Sequence, residues 1–451
     1  MKRNLSNYLD KWRSQVNRLP LILHGTRQVG KTYLLQEWGR ANFPRVHYVN
    51  FEKNEVAGRI FERDFDVKRI LSELSFFLGS SIDPDRDLLI FDEVQACPRV
   101  LTSLKYFSED MPGLALACAG SLLGVMLAPI SFPVGKVQFA HLYPMSFLEF
   151  LAAVDTKDTH RFLPAPDRHA VIPEVIHDHL WFLLRIYYVT GGMPAAVAIR
   201  AKAKDEIPLK LRDVLQEIRA MQGAITASYE RDFAKHCGKL NAVHLHALYR
   251  NIPTQLAAIH DDTTRRFQFG EVMSGKKGYA AWQRPIAWLK SAGLALQVKI
   301  ANQAAFPLEH YAKPNLFKLM CHDIGLLGCM QDLPPGILMS QDFGTAKGYF
   351  AENYTAQSIL ASAPADKDPL LYCWQEGESE IEFLMASDQG IVPIEVKSGR
   401  RTKSRSLNQY LSKYKPHLAI RLSAKPISYD SERKLLNLPL YLAHWISELV
   451  K

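Results

Sequence analysis

The chain has 451 residues, 47% of them hydrophobic, with 55 Lys and Arg against 46 Asp and Glu for a net charge of +9. That length exceeds one ordinary core and predicts about two to four globular domains. Six cysteines, at 97, 118, 237, 321, 329 and 373, show no C-x-x-C spacing, which argues against structural zinc and against a disulfide framework. No apolar run reaches the roughly 18 residues of a membrane-crossing helix, and no apolar segment follows Lys2 and Arg3 as a secretory signal requires. The expectation is a cytoplasmic protein with no membrane partner.

An opening helix is expected near Leu5–Val16. The apolar run Leu19-Pro20-Leu21-Ile22-Leu23 then reads as a strand and leads into Gly25-Thr26-Arg27-Gln28-Val29-Gly30-Lys31-Thr32. This octapeptide fits G-x-x-x-x-G-K-[ST], with the strand before it and a helix from Lys31 to about Ala41 after it. Backbone N–H groups of such a loop ring a β-phosphate, Lys31 reaches the β- and γ-phosphates, and the Thr32 hydroxyl holds Mg²⁺. The octapeptide is therefore the expected nucleotide-binding set, with Mg²⁺ as the metal.

Val46–Phe51 is the next predicted strand, and Leu88-Leu89-Ile90-Phe91-Asp92-Glu93 is a buried-strand pattern that ends in two carboxylates. Asp92 is placed on Mg²⁺ with Thr32, and Glu93 as the group that orients and polarises the attacking water. A third apolar strand, Leu114–Ala119, runs into Gly120-Ser121, where Ser121 stands at the position of a γ-phosphate sensor. Strands and helical patterns alternate, so the expected fold class is α/β, a parallel P-loop NTPase sheet with nucleotide at the strand C-termini. Phe132–Lys136 and His141–Phe150 close this ATPase domain at 1–150.

Residues 151–235 read as a helical lid or connector, interrupted by Gly191-Gly192-Met193-Pro194. The stretch 236–310 has the grammar of a winged helix: a helix over Asn241–Asn251, a second short helix, Tyr279–Ala292, a stop at Gly293 and an apolar strand Leu294–Ile300. Its candidate recognition helix carries Arg284 and Lys290 and contains Pro285, so packing and base reading both remain open for it.

The C-terminal region, 311–451, holds a second chemical candidate. Glu380–Met385, the turn Ser387–Gly390 and Ile391–Lys397 read as a β-hairpin. Period-two geometry puts Glu395 and Lys397 on one face of their strand. With helical Glu352 upstream, the acids Glu352, Glu382 and Glu395 offer hard oxygen ligands for a second metal, and Lys397 would stabilise a hydroxide or a charged phosphoryl transition state, as in two-carboxylate nucleases. From Lys397 to Lys415 the basic residues Lys397, Arg400, Arg401, Lys403, Arg405, Lys413 and Lys415 are met by no acidic one. Such a run is either a solvated face or a phosphate contact.

Taken together, Gly25–Thr32, Leu89–Gln95, Gly120-Ser121, Leu142–Phe147, Gly191–Pro194, Lys318–Leu326 and Ile394–Gly399 resemble the bacterial and archaeal P-loop ATPases of the AAA type that carry a C-terminal domain of uncharacterised function. The likeness covers nearly the whole chain. It implies ATP rather than GTP, and a restriction-endonuclease-like C-terminal fold of the PD-(D/E)xK kind whose acids match Glu352, Glu382 and Glu395 and whose lysine matches Lys397. Glu382 stands where Asp is usual, a methylene that moves a ligand by more than a bond length. Lys136 stands where arginine is usual beside Gly135, a point charge in place of a planar fork at the γ-phosphate or a subunit contact. Two functions are expected from this reading. One is a Mg²⁺-dependent ATPase coupled to a nuclease-like domain that meets nucleic acid through 397–415 and the winged helix. The other is a nucleotide-gated switch or scaffold whose nuclease-like domain is inactive and binds protein partners.

Overall fold

Strands of only four or five residues build the N-terminal sheet, and apolar side chains on both of its faces are covered by helices. In the computed structural model, residues 1–120, 135–204, 210–259, 266–276, 278–340 and 346–451 are described. They fall into two units, one of 1–143 with 291–293 and 364–368, the other of 144–290, 294–363 and 369–451.

In the first unit, helix α1 (Ser6–Arg13) precedes β1 (Leu21–His24), α2 (Lys31–Asn42), β2 (Val46–Asn50), α3 (Val67–Leu78), β3 (Leu88–Asp92), α4 (Pro98–Asp110), β4 (Ala115–Ala119) and β5 (Gln138–His141). The strands form one sheet in the order β2-β3-β4-β1-β5, and every pairing is parallel. Strands β3 and β4 are buried along their whole length, as expected of continuous apolar runs in a parallel sheet. One core face packs Ile22, Leu89, Phe91 and Leu116 against α3 and α4 residues such as Ile70, Leu74, Leu104 and Phe107. The other packs Leu21, Leu23, Leu88 and Ile90 against Leu34, Leu35 and Trp38 of α2 and Leu9 and Trp12 of α1. Two indole N–H groups find acceptors there: Trp12 donates to the Leu19 carbonyl (2.9 Å) and Trp38 to Asp10 (2.7 Å). Burial of these large rings therefore leaves neither donor unsatisfied.

The second unit begins with α5 (Phe147–Val154), whose start is fixed by a capping box between Ser146 and Glu149. Helices α6 (Glu174–Thr190), α7 (Pro194–Lys202), α8 (Leu211–Ile259) and α9 (Tyr279–Ser291) follow. An eight-stranded sheet is assembled from β6 (Ala295–Ala301), β7 (Ala312–Cys321), β8 (Leu371–Glu376), β9 (Ser379–Ser387), β10 (Gly390–Val396), β11 (Ala419–Ser423), β12 (Ser428–Asp430) and β13 (Leu435–Pro439), in the order β12-β13-β11-β10-β9-β8-β6-β7. Helices α10 (Ile324–Met330), α11 (Ala346–Ser362) and α12 (Arg405–Tyr414) connect them. Strands β8, β9 and β10 are antiparallel neighbours, whereas β10, β11 and β13 run parallel.

The winged-helix expectation over 236–310 is corrected here. Asn241–Asn251 is an interior stretch of α8, not a short independent helix, and β6 pairs with β7 on one edge and with β8 on the other. Boundaries at 150/151, 235/236 and 310/311 accordingly fall inside α5, inside α8 and between two paired strands. An amphipathic strand needs partners for both rows of backbone groups, and the second partner of β6 lies about seventy residues downstream, outside any local window.

Motifs without evident chemistry turn out to meet in one buried knot of this unit. The Gly192 N–H donates to Asp323 Oδ2 (2.6 Å), the Met145 N–H to the Gly192 carbonyl (2.7 Å), and the Leu326 N–H to Asp323 Oδ1 (3.0 Å). Gln222 donates to the carbonyls of Val189 and Thr190 at 2.8 and 2.9 Å, and Gln357 accepts from the Ile324 N–H at 3.0 Å. A Cβ on Gly192 would lie 2.2 Å from the Met145 carbonyl oxygen, so only glycine admits this approach.

Candidate functional site

The phosphate loop sits between β1 and α2, and its shape follows from three residues in the left-handed region: Gly25 (φ 152°), Gln28 (φ 63°) and Gly30 (φ 95°). A Cβ at Gly25 would approach the Leu142 carbonyl oxygen to 2.3 Å, so the motif's first glycine is required by packing as well as by φ. Lys31 is buried at the first turn of α2 and donates to the carbonyls of Gly25 and Thr26, both at 2.8 Å. Burial lowers its pKa to about 8, a shift that Glu93 and Asp92 oppose and Arg27 reinforces. Arg3 braces the loop from outside the motif, donating to the Val29 carbonyl (2.9 Å) and the Tyr143 carbonyl (2.6 Å).

The acids of β3 arrive where the sequence places them. Asp92 Oδ2 accepts from the Thr32 hydroxyl at 3.0 Å and from the Tyr48 hydroxyl at 2.7 Å. Tyr48 is raised to about 12 by burial and by its bond to Asp92, so it stays a donor. Glu93 follows with φ 52°, a left-handed conformation that costs a non-glycine residue about 1 kcal/mol or more. Gln95 donates to the Glu93 carboxylate and fixes its direction. Strand order places β4 between β1, which leads into the loop, and β3, which ends in the acids. Ser121 itself lies outside the described residues. Lys136 ion-pairs with Glu109 of α4 at 3.0 Å.

Sequence reasoning named the loop and the acids but missed Arg3, Tyr48 and Gln95. Tyr48 carried a signal, since period two along β2 puts it on the same face as Asn50, whose amide also points to Asp92 at 3.5 Å. Arg3 carried none: its carbonyl partners are 26 and 140 residues away.

The donor set at this loop fits a nucleotide with Mg²⁺: a hydroxyl and a carboxylate already in contact, a lysine at the loop's centre, and backbone N–H groups at the start of α2. Such a loop on a five-stranded parallel sheet, with an acid pair on the strand beyond its neighbour, defines a P-loop nucleotide-binding domain. Residues 17–151 match the AAA domain family (AAA_14), so this is an AAA-type P-loop ATPase domain. Residues 182–336 and 347–441 match two domains of unknown function, DUF8612 and DUF4143. Among solved structures, the chain is similar to the Walker-type ATPase PABY2304 of Pyrococcus abyssi, at 14% identity over 72% of this chain and 94% of that one, with a TM-score of 0.46. It is also similar to the Aeropyrum pernix ORC1 protein solved in complex with DNA (14% identity, 74% and 92% covered, TM-score 0.27) and to a variant of Thermotoga maritima RuvB (12%, 64% and 85%, 0.31). No curated protein sequence matches the chain.

In the second unit the expected acids do gather, but with cations between them. Lys397 lies 3.6 Å from Glu382 Oε1 and 3.3 Å from Glu395 Oε1, while Arg421 takes Glu395 Oε2 at 2.6 Å. Glu382 Oε2 accepts from the Val396 N–H at 3.1 Å. Lys318, 2% exposed, bonds to Glu352 at 3.3 Å and to Glu380. Burial raises Glu382 to about 8, with Lys397 opposing and Glu352, Glu395 and Glu380 adding to the rise. Among the described residues no three acidic, histidine or cysteine side chains converge as a metal requires. A second metal on Glu352, Glu382 and Glu395 would have to displace Lys318, Lys397 and Arg421 from the oxygens they now hold. Lys318 and Arg421 were not foreseen as members of this cluster. A lysine inside the apolar run Leu316–Met320 was their one visible signal.

Proposed function

We propose that this protein binds and hydrolyses ATP with Mg²⁺, and that the nucleotide cycle serves a C-terminal nuclease-like domain that binds nucleic acid without cutting it. The hydrogen bond from Thr32 to Asp92 at 3.0 Å carries the first part, because it joins the two metal-holding groups of separate motifs sixty residues apart. Lys31 and the loop N–H groups hold the phosphates, Thr32 and Asp92 hold the metal, and Glu93 orients the attacking water. Mg²⁺, when bound, neutralises charge on the phosphate oxygens. The ion pairs of Lys318, Lys397 and Arg421 favour binding over cleavage in the second unit. The nucleic-acid part rests on the exposed cations that follow β10.

One incubation tests both parts: full-length protein with ATP, Mg²⁺ and supercoiled plasmid, alongside Lys31→Ala. Phosphate release that disappears in the variant and in EDTA, with the plasmid left intact, is the expected result. Equal release from the variant contradicts the nucleotide assignment, and metal-dependent nicking contradicts the binding-only one.

A further inference from the structure

A cavity of about 230 Å³ lies within the second unit. Its floor is made by the segments that leave the carboxyl ends of three parallel strands: Ser398–Arg400 after β10, Ala424 after β11 and Leu440 after β13. That edge is where open sheets with parallel strands bind their ligands. Its wall is one face of α6, on which Trp181 stacks against His177 with ring planes 17° apart.

Two polar groups of this wall are unsatisfied. Tyr188 lines the cavity at 6% exposure, and its hydroxyl has no hydrogen-bond partner. Arg185 donates to the Met339 carbonyl at 2.9 Å, but its Nε has no acceptor and its guanidinium pairs with no carboxylate among the described residues. A buried hydroxyl or guanidinium nitrogen without a partner is costly, since it has given up water for nothing. Asp178 is the lining carboxylate, and it is exposed.

The rim continues into charge. Arg400, Arg401, Lys403 and Arg405 are exposed and, unlike Lys397 and Lys413 of the same run, ion-paired to no carboxylate among the described residues. An aromatic wall beside a strip of free cations is the combination by which single strands are held, bases stacking and phosphates tracking the charge.

We infer that this cavity takes one base of a single-stranded nucleic acid whose phosphates run along Arg400–Arg405. This deepens, and rests on, the nucleic-acid reading proposed above. The base stacks on Trp181, with Arg185 on the wall beside it.

Fluorescence anisotropy of the full chain with a labelled oligothymidylate and its abasic counterpart, at low salt, tests the inference. Wild type is expected to bind the intact oligomer about fivefold or more tightly than the abasic one, with both affinities falling as salt rises. Trp181→Leu is expected to erase the difference. Gly399→Leu is expected to do the same, and its Cβ is tolerated because a Cβ at that position meets nothing within 4 Å. ATP turnover of both variants verifies that the chain is intact. Equal affinity for the two oligomers in wild type, or a preference that survives both substitutions, overturns the cavity's role while leaving nucleic-acid binding in place. Failure to bind either oligomer overturns the nucleic-acid reading itself. Saturation by thymidine monophosphate with no gain from the oligomer overturns the strand assignment in favour of a free nucleotide.

Discussion

Lys31 combines two demands that conflict in the absence of a ligand. It is 8% exposed, so burial lowers its pKa to about 8, a fall that the carboxylates of Glu93 and Asp92 oppose, while it donates to the carbonyls of Gly25 and Thr26. Phosphates arriving beside it raise that value further, so ATP binding takes up a proton wherever the free lysine has begun to lose one. The sign follows: affinity is flat below about pH 7 and weakens above it, by up to about tenfold between pH 7 and 9. Titration calorimetry of ATP binding across that range measures it, and an unchanged dissociation constant would mean that Lys31 does not hold the phosphates. Glu93 is likewise set by its local geometry. Its left-handed φ of 52° is strained for a side chain, and Asp92 Oδ1 accepts its N–H at 3.0 Å, which holds the turn that swings the carboxylate out of the strand.

Elements with strong local grammar were legible in the sequence. The loop between β1 and α2, the buried strand ending at Asp92 and the hairpin of β9 and β10 each declare themselves through period or motif, and each is where the pattern put it. What stayed hidden depends on distant pairing. Strand β6 read as the wing of a small module because its parallel partner, Leu371–Trp374, is far away in sequence. Lys318 and Arg421 read as ordinary strand residues, although they neutralise the acids meant for a metal. The Gly191-Gly192 pair was seen as an interruption between helices, whereas it packs against Met145 and Asp323 with no room for a methyl group. Gly192→Ala is therefore expected to cost about 3 kcal/mol or more, since its Cβ meets backbone rather than a movable side chain. Urea unfolding of the variant measures this, and a loss under about 1 kcal/mol would show that the knot yields easily.

Across the chain as a whole, pH should act through groups that burial has displaced. His24, His322 and His444 are held near pKa 4, below the ordinary 6.5, chiefly by burial. Each is a base with a lowered folded value, so its contribution is complete above pH 6.5 and is lost as pH falls toward 4. Glu382, raised from 4.5 to about 8, works the other way and removes stability as pH climbs through that interval. Thermal midpoints should pass through a maximum near about pH 6.5, and a curve still rising from pH 7 to 8 would contradict these environments. Among the described residues no helix is long and apolar enough to cross a membrane. The proposed ATP cycle makes turnover depend on the acid pair Asp92 and Glu93, and single-turnover ATP hydrolysis beside equilibrium ATP binding, for wild type and Glu93→Gln, reads that dependence free of product release. Retained binding with hydrolysis slowed about 10²-fold or more is the predicted result. Hydrolysis at the wild-type rate, or loss of binding together with hydrolysis, would contradict it.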